Sequence, residues 1–440
     1  MIRFGQALAG ARRRRFTAVP AAAREAMSLR GDPDFDPLTL SSAQQTRLTD
    51  MKSLITRGTD DNRDPYRIAR RDCIWWYSHD LLTNIQAQLL AFRATGDLWF
   101  LDTIYELVDI MIYKREVAPG TDFRIDSKYR DTCSDAGGAT EGEDDGYLKW
   151  VHRENPTCAQ QGTDIRRDYD YATHYGTVLV AYALHHNRDL TSPEAHDYGA
   201  LADWLLAYNI DHYEAKFRAR NSKPTGFPIE TYLASQTPRV IALMLWHYYM
   251  GLLRSDSAYT DEAVRMSGIL EDEFCAATPP EGGALVWRRQ TKAFDNHSYG
   301  DYLSPSTYGE HVISALMDAH FEGFGAWASD TPFEQLGRMV TEYMADNANP
   351  LVDGFADCVG GNVDRCTYST WTSSHTRPTH FIWQNGMWGT LSSWDATGDI
   401  AGWNETARAY SETQAETNNT WDRTRILAAQ FLHEHLGGGA

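Results

Sequence analysis

No stretch of this chain approaches the roughly 18 consecutive apolar residues that a membrane-spanning helix needs. Its longest apolar runs, 177–184 and 240–246, have the length of core helices. No membrane partner is therefore expected. Bases are scarce beside acids: 41 Lys and Arg stand against 60 Asp and Glu, a net charge of -19. Seven Arg and one Glu fall within residues 1–30, so the remainder is more acidic still. Such a surface is a poor general binder of nucleic acid, and no nucleic-acid partner is expected. Cysteine is sparse too. The six residues form no Cys-x-x-Cys pair and no metal-ligand spacing, so no structural zinc is expected. Sustained period-2 alternation is also missing, which leaves strands a minor part of the fold.

What is present is apolar and aromatic. Hydrophobic residues make up 42% of 440, enough to bury a large core. Aromatics reach 12%, with 14 Trp and 23 Tyr, which fits a core, a ring-lined carbohydrate cleft, or both.

The N-terminus is ambiguous. The Arg run 12–15 and Phe16 hint at a twin-arginine export signal, but 17–27 is Ala-rich and broken by Arg24 and Glu25. Residues 1–35 read as a tail or processed segment, and 36–440 as a single catalytic domain. Cys358 and Cys366 flank one small polar loop and Cys133 and Cys158 another, while Cys73 and Cys275 sit beside helical segments. The first four read as loop staples and the last two as buried thiols, which leans towards a secreted or periplasmic protein. Nothing in the sequence speaks to oligomeric state.

Internal repetition is the most informative feature. An aromatic-rich helix, a short turn holding Asp and a second amphipathic helix recur. The expected first helices are 75–94, 174–186, 237–254, 306–327 and 379–395. Their partners are 98–111, 194–216, 259–274, 332–344 and 400–410. A last helix spans 422–436, and 40–67 supplies part of a further pair. The turn residues Asp97, Asp189, Asp256, Asp330 and Asp399 recur at intervals of 92, 67, 74 and 69. Their expected work is capping of free helix N–H groups. The pattern predicts an all-α fold, an (α/α)6 or (α/α)7 toroid with inner helices in a ring. An open solenoid is the alternative.

Turns within pairs are short, whereas the connections 113–172, 217–236, 275–305 and 345–378 are long. Long connections carry function more often than short ones. All of them lead into first-helix N-termini, whose half-charge favours anions. Candidate substrate-binding residues there are Trp75, Trp76, Tyr77, His174, Tyr175, Gln236, Arg288, Arg289, Tyr308, His375, Arg377 and Trp383. Arg239 and His247 join the catalytic candidates, His247 with a core-packing role as its plainer reading. The acidic loop 141–145 reads as solvated.

The sharpest run is Asn296-His297-Ser298-Tyr299, followed by Tyr302. These side chains suit β-elimination on a uronate sugar. The C5 proton becomes acidic only when the neighbouring carboxylate is neutralised, and Asn, His or Arg donors do that. A neutral His or a Tyr can take the proton, and a Tyr can return one to the leaving oxygen.

Asn-His-x-Tyr, the helical pairs and the aromatic helix starts resemble the α/α-toroid polysaccharide lyases of alginate, glucuronan and related uronate polymers. Residue order and loop cysteines resemble the thirty-eighth polysaccharide lyase family in particular. The resemblance implies Asn296 as neutraliser, His297 as base and Tyr299 or Tyr302 as acid, with Tyr308 a spare. It implies an anionic polysaccharide as partner and no cofactor. The Arg and distant Tyr that usually follow in those lyases find no clean match, which leaves the neutralising Arg open among Arg239, Arg288 and Arg289.

Three other readings stand beside this one. A toroid glycoside hydrolase needs two carboxylates, and Asp80, Asp168, Asp170, Glu230, Asp295 and Asp301 are available. A sugar epimerase also uses His and aromatic clusters. A non-catalytic glycan-binding protein would keep the aromatic platforms but show no turnover.

Overall fold

A computed structural model describes residues 27–56, 74–113, 167–215, 237–276, 283–287, 306–345, 355–356, 376–377, 387–413 and 419–437. Among them the only strands are β1 (Phe355–Ala356) and β2 (Thr376–Arg377), two residues each and antiparallel. The rest is helices and their turns, so the protein is all-α.

The repeat resolves into helical hairpins. α1 is Ser42–Thr56, α2 Ile74–Thr95, α3 Leu98–Tyr113, α4 Arg167–His186 and α5 Tyr198–Tyr208. α6 is Thr237–Arg254, α7 Ser257–Ala276, α8 Ser306–Phe321 and α9 Thr331–Arg338. α10 is Asp399–Thr413 and α11 Asn419–His435. A 3-10 helix, Met387–Trp394, precedes α10. α5 and α9 run on as π-helical turns, Asn209–Glu214 and Met339–Met344.

Local chemistry sets several boundaries. Gly96 takes φ 71° after α2, where a side chain would be strained, and Asp97 Oδ1 accepts from the Trp99 N–H at 3.1 Å to open α3. Asp256 accepts from the Ala258 N–H in the same way. Three expected turn caps differ. Asp399 is itself the first residue of α10, where Asp395 Oδ2 accepts from the Ile400 N–H at 2.8 Å. Asp330 makes no side-chain cap; its Oδ1 accepts instead from the Trp394 indole at 2.9 Å. The helix after Asp189 starts later than 194, because Asp197 is its cap and the Ser192 hydroxyl holds the N–H groups of Glu194 and His196 in a turn.

The first helix of each pair packs on the next. α2 lies against α4, α4 against α6, α6 against α8, and α8 against the 3-10 helix 387–394. That helix packs on α11, and α11 returns to α2, closing the circuit. The partner helices pack on these: α3 on α2 and α4, α5 on α4, α7 on α6, α10 on the 3-10 helix and α11. α1 packs on α11, where the Arg47 guanidinium donates to Glu434 at 2.6 Å and Gln430 at 2.7 Å. Fit between layers is tight: a Cβ at Gly309 of α8 would collide with the Trp388 indole.

Most described Trp residues belong to the core. Trp246, Trp287, Trp327 and Trp388 are fully buried. Trp246 and Trp327 donate their indole N–H groups to Asn209 and Ser267, as buried indoles usually do.

The segment just before residue 36 is part of the folded body, not a tail. Met27 and Leu29 are buried, and the Asn187 side chain ties the segment down. Its Nδ2 donates to the Leu29 carbonyl at 2.9 Å, and its Oδ1 accepts from the Gly31 N–H at 2.6 Å. Asp32 N–H donates to the Gly96 carbonyl at 2.8 Å. The strap 27–32 thus crosses the C-terminal ends of α2 and α4.

Candidate functional site

Paired contacts fix the direction of the inner helices. Gln86 and Arg93 of α2 reach Asp318 and then Glu322, at and just past the end of α8. Tyr175 and Tyr182 of α4 reach the same two carboxylates in the same order. Moving along α2 or α4 therefore moves the same way along α8, and the three run parallel. Tyr248, late in α6, packs on Phe324 with ring centroids 4.5 Å apart. The C-terminal ends gather beside the strap 27–32. Helices of 16 to 22 residues are about 24–33 Å long, so their starts lie on the far side of the body.

The far side is where the backbone puts several of the sequence candidates. Trp75, Trp76 and Tyr77 are in the first turn of α2, Arg239 in the first turn of α6, and Tyr308 in the first turn of α8. His174 is in the second turn of α4, and Arg377 is on β2. Gln236, Arg288, Arg289, Asn296, His297, Tyr299, Tyr302, His375 and Trp383 lie outside the described residues. So do Cys73, Cys133, Cys158, Cys358, Cys366 and the acidic loop 141–145. Chain continuity alone leads 288–305 directly into α8 at Ser306.

Two candidates are placed elsewhere. His247 is 0% exposed; its Nδ1–H donates to the Leu243 carbonyl at 2.9 Å, and its ring lies 6.1 Å from that of Tyr259 on outer helix α7. It packs between α6 and α7, a buried position that suits a core-packing role. Tyr175 is 1% exposed and donates to Asp318 Oδ2 at 2.5 Å. It stands in the buried interior, against α8.

Around Tyr175 the structure assembles a polar centre that the sequence does not announce. Arg93 is fully buried, with Nη2 at 2.7 Å from Glu322 Oε1 and 3.6 Å from Asp318 Oδ1. Gln86 Nε2 donates to Asp318 Oδ2 at 2.8 Å. Arg93 Nη1 donates to the Met27 carbonyl at 3.1 Å, linking the centre to the strap. Tyr249 completes it, with its ring 4.8 Å from Tyr182 and 6.4 Å from Tyr175.

Burial dominates the electrostatics of this centre. It raises the Asp318 carboxyl above its usual range, against Arg93 and the hydrogen bonds from Tyr175 and Gln86. It also lifts the Tyr175 and Tyr249 hydroxyls well above the ordinary phenol value, reinforced by Asp318 and Glu322 respectively. Burial opposes the Arg93 charge, but Glu322, Tyr249 and Asp318 together outweigh it and hold the guanidinium charged. Nearer solvent, burial pushes Tyr248 up to about 12 and lowers His186. None of these tyrosines is poised to ionise near neutral pH. Among the described residues no His, Cys, Asp and Glu group has a metal-binding arrangement. No described helix is long and apolar enough to cross a membrane.

Compared with protein-family models, curated proteins and solved structures, the chain matches none.

Proposed function

We propose that the protein is an α/α-toroid polysaccharide lyase that cleaves a uronate polymer by β-elimination. The closed circuit supports a toroid of six pairs: α2/α3, α4/α5, α6/α7, α8/α9, 387–394/α10, and α11 with α1. On that reading the first and last helices of the chain close the ring together.

The observation that carries the functional reading is the shared direction of α2, α4 and α8. Their starts, with that of α6, lie on the side away from the strap, and the long connections lead into them in sequence. The connection ending at Ser306 holds Asn296, His297 and Tyr299. Asn296, with an arginine from Arg239, Arg288 or Arg289, neutralises the uronate carboxylate as charge builds on it. His297 takes the C5 proton. Tyr299 or Tyr302 protonates the leaving glycosidic oxygen, and the C4–O bond electrons leave with it. The electron pair of the broken C5–H bond becomes a C4=C5 double bond conjugated with the carboxylate.

The test is ultraviolet absorbance of that conjugated product, with alginate blocks, glucuronan, pectate, hyaluronan and heparinoids as substrates. A rise on one polymer, lost in His297→Ala and Tyr299→Phe, is the expected result. New reducing ends without absorbance would replace elimination by hydrolysis. Turnover of a neutral glucan alone would end the lyase reading.

A further inference from the structure

The centre of the ring contains more polar atoms than its own side chains satisfy. Tyr249 is 0% exposed, Gln86 3% and Arg93 2%. Tyr249 Oη, Gln86 Oε1 and Arg93 Nε have no hydrogen-bond partner in the protein. Gln86 spends its amide on Asp318, and Arg93 spends its Nη atoms on Met27, Asp318 and Glu322. Tyr249 lies between the two tyrosines that reach those same carboxylates, Tyr175 and Tyr182. Leaving a buried polar group unsatisfied is costly, so three such atoms around one pair of carboxylates call for an occupant.

The three atoms also specify its chemistry. Arg93 Nε–H can only donate. Gln86 Oε1 can only accept. Tyr249 Oη can do either. A cation would answer the Gln86 oxygen, but it would be repelled by Arg93, and the carboxylates that could hold it are already engaged by Arg93, Gln86 and Tyr175. An anion would answer Arg93 and be repelled by Asp318 and Glu322. An occupant that both donates and accepts, carries no charge and fits among closely packed rings is water.

We propose that the ring encloses a built water site. One or more ordered waters bridge Tyr249 Oη, Gln86 Oε1 and Arg93 Nε–H and knit α2, α4, α6 and α8 together at the level of Asp318. The site stands apart from the lyase proposal, because the helix starts that carry the elimination chemistry lie towards the other end of the ring.

A high-resolution crystal structure of the full chain tests it directly. Density for water within hydrogen-bond reach of at least two of the three atoms is expected. A dry centre would overturn the proposal, and so would an anomalous peak there after soaking in thallium, a monovalent cation. Tyr249→Phe gives an independent test by thermal denaturation. If the hydroxyl bonds water, its removal lowers Tm by about 1–3 °C. If the hydroxyl is truly unsatisfied, its removal leaves Tm unchanged or higher, and the site is not hydrated.

Discussion

Arg93, in the last turn of α2, sits 2.7 Å from the Glu322 carboxylate beyond the end of α8, with its own side chain wholly out of solvent. The two come from different hairpins, 229 positions apart in sequence, so the pair ties two hairpins together. Its value lies less in net energy than in what its loss would leave behind. Desolvation of both charges offsets much of their attraction, but removing one partner strands the other in a poorly solvated site. Arg93→Met should therefore destabilise the protein by about 3–5 kcal/mol in chemical denaturation. Glu322→Gln, which keeps an acceptor for Arg93 and leaves Asp318 as counter-charge, should cost clearly less.

The companion carboxylate predicts a pH dependence. Asp318 faces Arg93 and Gln86 from α2, Tyr175 from α4, Tyr249 from α6 and Glu322 just beyond its own helix. Its folded-state pKa is raised, chiefly by burial. The folded protein therefore holds this proton more tightly than the unfolded chain does. The resulting stability is full below the ordinary carboxylate value of about 4 and is lost as pH rises towards the raised one. Asp318→Asn cannot titrate there. The Tm of the wild type relative to that variant should fall as pH rises from about 4. A difference that grows with pH would mean that the hydrogen bonds and Arg93 outweigh burial.

The hairpin pattern was legible because its signals are local. α6 runs from Thr237 to Arg254, matching the expected 237–254, since Pro238 favours a first turn and the apolar run fills the helix. The start of α4 at Arg167 was not legible: Asp168, Tyr169, Asp170 and Tyr171 read as a polar loop by composition. The expected helix 379–395 is, among its described residues, a 3-10 helix from 387. There the Thr390 hydroxyl donates to the Met387 carbonyl, and Gly389 lets the backbone approach Asn404. The polar centre was missed because a lone Arg or Asp in a helix is ordinarily solvent-facing. The available clue was apolar flanking on both sides, as in Leu89-Leu90-Ala91-Phe92-Arg93 and Leu316-Met317-Asp318-Ala319. Of the proposed catalytic run, the sequence shows the residues and the structure only the helix that follows.

The strap offers a third prediction. Asn187 is 1% exposed and uses both ends of its amide, with Nδ2 also donating to the Ala183 carbonyl at 2.7 Å. Asn187→Ala removes the bonds to Leu29 and Gly31 together. It should cost about 2–4 kcal/mol, as two to three buried hydrogen bonds at 1–1.5 kcal/mol each. Faster amide exchange at Gly31 and Asp32 should accompany it, because their holding contacts are lost or loosened. Asn187→Asp should keep the Gly31 acceptor but lose both donors, and fall between.

The two histidines considered for proton transfer provide the last and most discriminating prediction. His247 is sealed between α6 and α7, bonded to its own helix, edge-on to Trp246 and tilted against Tyr259. Substitution by Ala opens a cavity and should destabilise by about 2–4 kcal/mol. At a temperature where the variant remains folded, its elimination rate per folded molecule should be within a few-fold of wild type. His297→Ala should behave in the opposite way. Tm should stay close to wild type, while kcat falls by about 100-fold or more through loss of the base. Asn296→Ala should lower kcat by a comparable factor, because the donor it removes is needed most when the carboxylate charge builds. Measuring both Tm and kcat for all three variants separates packing from chemistry. If His247→Ala abolished turnover in a folded protein and His297→Ala did not, the base would have to be sought inside the ring and the elimination mechanism built on His297 would fall.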